Sequence, residues 1–239
     1  MFNIWKKKEK LHIDCFTNFG GITKLFPIES SSAFMPEWFK KLPTTAQTDT
    51  GGNVGTVKLC PGITDTLKTG IVIPVWCDMF VDHANGVVKT EPEEMADGHP
   101  SWQWGNHSLF KGYHHLKISS PWRFREKTGA KFMMTNSFWN DPQTNYFVPN
   151  GILDFKYQTT TNVNIWIPKN KFGGSGKFLL EAGNPLVQII PLEDKEIVIH
   201  MQEVGDDVFY GDELDYIFTQ KGMYYKRKNI LSKREGKKT

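Results

Sequence analysis

Five of the seven histidines, His83, His99, His107, His114 and His115, fall in one stretch of the chain with Asp82, Glu91, Glu93, Glu94 and Asp97. Imidazoles and carboxylates brought together from neighbouring strands are what a divalent metal takes as ligands. The candidate ligands are therefore His83, His99, His107, His115 and the more distant His200, with Asp78 or Asp82 as the carboxylate. The spacing gives this little support. No His-x-His occurs, and the adjacent His114 and His115 must point to opposite faces of a strand. His114 shares its face with Leu116 and Ile118, which reads as a hydrogen-bonded core histidine. Dispersed surface and loop histidines are the simpler account.

His12-Ile13-Asp14 has the His-x-Asp form that non-haem iron chemistry uses, and His200 is its only distant C-terminal companion. A more coherent pattern comes from tryptophans beside polar groups. Trp76 and Asp78 alternate onto one face of a predicted strand, and Asn162, Asn164 and Trp166 onto another. Gln188 and His200 lie on two more. Trp102 and Trp104, two apart, would share one side of an extended segment. An indole stacks on the apolar face of a sugar while amides and carboxylates bond its hydroxyls, so these residues are ligand-binding candidates. An outer sheet face would carry the same pattern.

Other chemistries fail on spacing. Gly173-Gly174-Ser175-Gly176-Lys177 lacks the first glycine of a phosphate loop, is followed by Phe178, and lies between strands, so it reads as a hairpin turn. Gly51-Gly52-Asn53-Val54-Gly55 fails the dinucleotide pattern. No Gly-x-Ser-x-Gly occurs, and Cys15, Cys60 and Cys77 lack Cys-x-x-Cys spacing. They read as small core residues in a reducing compartment. Asp78, Asp154, Glu91 and Glu93 could act as paired acids only if the fold joined them.

The elements that must position these residues are short and β-rich. Strand patterns occupy 71–81, 113–119, 131–135, 151–157, 162–167, 177–180, 186–190 and 196–201, rich in Val, Ile, Phe, Tyr and Trp and separated by Pro, Gly, Asn and Asp. In the first, Ile71, Ile73, Val75, Cys77, Met79 and Val81 form the core set. With almost no helical period between strands, the expected fold is mainly β, an antiparallel jelly roll or β-sandwich. Pro36 to Lys41 predicts one short helix that plugs the sheet with Trp38 and Phe39. A helical segment is expected from about 206 to 232, with Leu214, Ile217 and Phe218 at helical spacing and Gly222 weakening its middle. Residues 44–56 read as a surface loop. The expected organisation is one domain over 1–205, with a helical extension over 206–239 that packs on it and ends in a fraying basic tail.

Composition bounds the partners. The 239 residues carry 29 Lys and Arg against 26 Asp and Glu, too even a balance for a nucleic-acid surface over the whole molecule. Lys6, Lys7, Lys8 and Lys10 at one end and Lys226, Arg227, Lys228, Lys233, Arg234, Lys237 and Lys238 at the other read as solvated termini. No leader pattern and no apolar run long enough for a membrane span is seen, so a cytoplasmic protein is expected. The 17 Phe, 8 Trp and 7 Tyr are more rings than packing alone needs, and homo-oligomeric association through exposed rings stays open.

Several segments in order, Ser32-Ala33-Phe34-Met35-Pro36-Glu37-Trp38-Phe39-Lys40, Cys60-Pro61-Gly62-Ile63-Thr64-Asp65, Ile73-Pro74-Val75-Trp76-Cys77-Asp78, Ser119-Ser120-Pro121-Trp122, Val148-Pro149-Asn150-Gly151-Ile152 and Gly183 to Leu192, resemble an uncharacterised family of roughly this length from marine tailed phages and ocean metagenomes. The resemblance implies phage origin and a host-cell cytoplasm, and no activity or cofactor. Gly183-Asn184-Pro185-Leu186 also resembles the entry into a buried strand in cupin-type jelly rolls, without the cupin metal motif. The resulting expectation is a non-catalytic ligand-binding or assembly protein for a sugar, a small polar ligand or a protein partner. The alternatives are a metal-dependent cupin-like oxygenase or isomerase and a minor virion structural protein.

Overall fold

The computed structural model describes residues 8–84, 87–137, 139, 145–169, 176–211 and 223–236. The fold is mainly β, built from several small sheets. In the first, β1 (Lys10–Thr17) lies between β10 (Arg123–Arg125) and β16 (Glu196–Glu203). In the second, the order is β12 (Gly151–Leu153), β11 (Phe132–Asn136), β15 (Pro185–Pro191), β5 (Ile71–Pro74) and β2 (Glu29–Ser30). The third is β13 (Val163–Pro168), β9 (Tyr113–Ile118) and β8 (Ala96–His99), and the fourth is β14 (Gly176–Leu180), β6 (Met79–Ala84) and β7 (Val87–Glu91). A small hairpin pairs β3 (Thr45–Gln47) with β4 (Asn53–Gly55).

One apolar cluster joins the four larger sheets. Leu11, Ile13 and Cys15 of β1, Ile71 and Ile73 of β5, Val81 of β6, Leu116 and Ile118 of β9, Phe132 of β11, Ile165 of β13 and Ile189 of β15 all contribute to it. Trp122, Phe124, Phe132 and Phe155 are its largest fully buried side chains. Burying each such ring is worth roughly 1.5–3 kcal/mol. Gly70 leads into β5 with φ +89°, and a Cβ there would lie 2.3 Å from the Ile189 carbonyl oxygen, so β5 and β15 can approach only with glycine at this position.

Several expectations require correction. Strand pairing is antiparallel except between β1 and β16, which run parallel. β1 itself answers to no predicted strand, although Leu11, Ile13 and Cys15 point inward while Lys10 and His12 point outward. The predicted strand over 71–81 is two strands, β5 and β6, broken at 75–78. Because β5 is buried on both faces, its alternation does not distinguish an outer side. The stretch 44–56 contains the β3–β4 hairpin. An unpredicted helix, Pro61–Lys68, packs Leu67 inward. Cys60, expected in the core, is exposed, whereas Cys15 is buried. The short helix Glu37–Lys41 buries Phe39 as expected, while Trp38 stays largely exposed and donates from Nε1 to the Trp139 carbonyl, 3.1 Å.

Helices Asp206–Gly211 and Met223–Glu235 both touch the β framework. Phe209 meets Phe16 edge-on and lies under the Arg123 guanidinium. Buried Asp154 accepts from Lys131, from Lys228 of the last helix at 2.9 Å and from the Tyr224 hydroxyl at 3.2 Å. Leu214, Ile217, Phe218 and Gly222 of the expected helical segment, and the Gly173–Ser175 turn, lie outside the described residues.

Candidate functional site

The three-stranded sheet β13–β9–β8 carries one cross-strand row of chemical interest. His99 on β8 pairs in register with His115 on β9, and His115 pairs with Trp166 on β13. The two imidazoles stack with centroids 4.5 Å apart, and the His115 ring lies 5.9 Å from the Trp166 ring. Three further rings close over this row. Trp104 comes from the 3₁₀ turn Ser101–Trp104 and meets Trp166 and His115 at 5.2 Å. Phe110, from the one-turn helix Ser108–Lys111, meets Trp166 edge-on at 4.6 Å. Tyr113 opens β9 and lies 5.7 Å from Trp166. Between these groups, Lys169 and Val87–Val88 is a cleft of about 320 Å³, at the lower end of the roughly 300–1,000 Å³ of small-molecule sites.

Hydrogen bonds fix the protonation of the histidines. Trp104 Nε1 donates to His115 Nδ1 at 3.1 Å, so His115 carries its proton on Nε2 and donates it to Asn164 Oδ1 at 3.0 Å. Burial lowers the His115 pKa to about 4, opposed by the Asn164 bond and reinforced by the charges of His99 and Lys117. His114 is also lowered to about 4, by burial and then by the charges of Lys169 and His83. Both rings are neutral at pH 7. His99 Nδ1 bonds Gln103 Oε1, which leaves the Nε2 lone pair facing away from that contact. His99 Nε2 and Trp166 Nε1 are buried and have no hydrogen-bond partner among the described residues, and Trp166 as a whole is 7% exposed. The row thus contains one acceptor and one donor nitrogen, both closed to solvent, in residues that line the cleft together with Lys169.

The structure distributes the other candidates elsewhere. Trp102 is 68% exposed and separated from Trp104, because two residues span two thirds of a 3₁₀ turn rather than one side of a strand. Trp76 is buried and does not share an outer face with Asp78, whose Oδ1 accepts from the Ala182 amide at 2.8 Å. Gln188 is an interior strut: its Nε2 donates to Ser31 Oγ and to the Thr66 and Thr69 carbonyls. Asn162 accepts from the Ser120 amide and lines a second cleft of about 330 Å³ with Trp122, Arg123, Glu94 and Tyr210, whereas Asn164 reaches His115.

Six of the seven histidines form pairs. Besides His99 with His115, buried His83 lies 5.7 Å from His114, and exposed His12 and His200 stack with 2.8 Å between His12 Nδ1 and His200 Nε2. Asp14 is the in-register neighbour of His200. His107 caps the helix Ser108–Lys111 by accepting from the Leu109 amide. Among the described residues, no three His, Cys, Asp or Glu side chains converge as a metal site. Phe110, Tyr113 and Lys169 were not legible as site residues; only Tyr113 had a signal, its alternation with His115 on β9.

Family models, curated proteins and solved structures give no match to this chain. Among the described residues, no helix is long and apolar enough to cross a membrane.

Proposed function

We propose that this is a non-catalytic ligand-binding protein whose β13–β9–β8 cleft stacks a ring-bearing polar ligand, with saccharides as the preferred class. The observation that carries this reading is the coincidence, in the lining of one cleft, of stacking rings with two buried nitrogens that have no hydrogen-bond partner among the described residues, Trp166 Nε1 and His99 Nε2. Buried polar groups are normally paired, and a sugar hydroxyl can donate to His99 and accept from Trp166. The neutral, doubly hydrogen-bonded His115 acts here as a rigid spacer between them, which supports binding over proton transfer. Several short, mostly antiparallel sheets around one core support a jelly-roll-like arrangement, and a phage origin rests on the resemblance of the ordered segments to the marine phage family alone.

Glycan-array binding followed by titration of a hit tests the reading. Saturable binding that is weakened about tenfold by Trp104→Ala, with an unchanged circular dichroism spectrum, is the expected result. An empty array, or binding indifferent to Trp104→Ala, would overturn it.

A further inference from the structure

We propose that the saccharide carries an anionic group, a carboxylate or a phosphate, and that Lys169 binds it; this rests on the cleft being a saccharide site. Lys169 is half-buried, follows β13 directly and lines the cleft a few residues from Trp166. Its backbone is held by the bond from its amide to the Gly112 carbonyl, 2.9 Å, so the side chain starts from a fixed point. Among the described residues it makes no ion pair. The described lining of the cleft contains no carboxylate, and Asp97, which precedes Gly98 of the lining, is engaged by Lys117 across β8 and β9 at 3.4 Å.

The remaining titratable groups facing Lys169 do not neutralise it. His114 and His115 are both neutral near pH 7, and His99 offers a lone pair through Nε2. One cation without a counter-charge among the described residues therefore stands in a half-enclosed, ring-lined space, where charge-assisted hydrogen bonds to an anion are stronger than in bulk water. The ring of the ligand would lie on Trp104, its hydroxyls between Trp166 Nε1 and His99 Nε2, and its anionic substituent toward Lys169. A cationic or amino sugar would place like charges together and is excluded by the same arrangement.

Isothermal titration of the full chain with digalacturonate, galactose 1-phosphate and neutral galactobiose separates the outcomes. An acidic probe should bind about tenfold more tightly than galactobiose at low salt. Lys169→Met should remove that preference, bringing the acidic probes to within about twofold of galactobiose measured on the same variant, and Lys169→Arg should retain it. The better acidic probe identifies carboxylate or phosphate as the group recognised. Equal affinity for charged and neutral sugars, or a preference that survives Lys169→Met, overturns the anion assignment while leaving the stacking reading intact. Failure of all three probes to bind, with Trp104→Ala equally silent, overturns both.

Discussion

The turn around Glu126 and the cleft around Trp166 are both polar regions set into an apolar framework, and they differ in whether the protein answers its own polar groups. Glu126 is 1% exposed, and its two oxygens accept from the amides of Thr128, Gly129 and Ala130 at 2.6–3.0 Å. Gln188 likewise spends its amide on Ser31, Thr66 and Thr69. These groups are consumed in tying loops to sheets. In the cleft, Trp166 Nε1, His99 Nε2 and the Lys169 cation have no such partners among the described residues. An unanswered buried donor costs roughly 1–3 kcal/mol, so the cleft bears a cost that a ligand would offset. Trp76 and Trp122 also hold unpartnered indole nitrogens. Trp122 also lines a cleft with a cation and rings, Arg123, Phe209 and Tyr210, but that cleft holds the carboxylate of Glu94, whereas the described lining of the cleft at Trp166 holds the Lys169 cation and no carboxylate.

The contrast can be broken from either side. The largest effect is expected at Glu126→Ala, which strands the buried amide of Ala130 and the partly buried amides of Thr128 and Gly129 and should lower stability by about 2–4 kcal/mol in urea denaturation, with sugar affinity of the folded fraction unchanged. Asp154→Asn should cost about 2 kcal/mol, because it removes the charged acceptor of Lys131 and Lys228. Burial pushes the Asp154 pKa up, but the hydrogen bonds and charges of the two lysines more than offset it and the net direction is down. Its contribution is therefore present above the unfolded-state value near pH 4 and is lost as pH falls through the lower folded value. Melting curves of wild type and Asp154→Asn should converge in strong acid.

Trp104→Ala should cut sugar affinity about tenfold while changing stability by about 1 kcal/mol or less, since this ring is already 36% exposed. The smallest effect is a pH slope. His114 and His115 stay neutral in the folded protein down to about pH 4, whereas the unfolded chain protonates them near 6.5. Stability should therefore decline as pH falls from about 6.5 toward 4, and His115→Gln should flatten the slope in a melting-temperature series.

Much of the fold was legible wherever a strand has one wet and one dry face. Tyr113–Ile118 alternates half-buried and buried along its length, and both the strand and the core placement of His114 followed from that pattern. Legibility failed where alternation is absent or where partners are remote. β5 is buried on both faces, so Trp76 looked like an outer-face residue when it is part of the core. The parallel pairing of β1 with β16 joins residues more than 180 positions apart and leaves no local trace. For the cleft, the sequence named His99, Trp104, His115, Asn164 and Trp166 but placed them in separate groups. The register across β8, β9 and β13 puts three of them in one row, and only a 3₁₀ turn, invisible to strand periodicity, separates Trp104 from Trp102.

The most direct test follows the indole N–H signals by ¹H–¹⁵N NMR during titration with digalacturonate. Saturable shifts of the Trp166 and Trp104 indole signals, with Trp76 and Trp38 unmoved, are predicted. No saturable shift at Trp166, or shifts confined to exposed Trp102, would contradict the account.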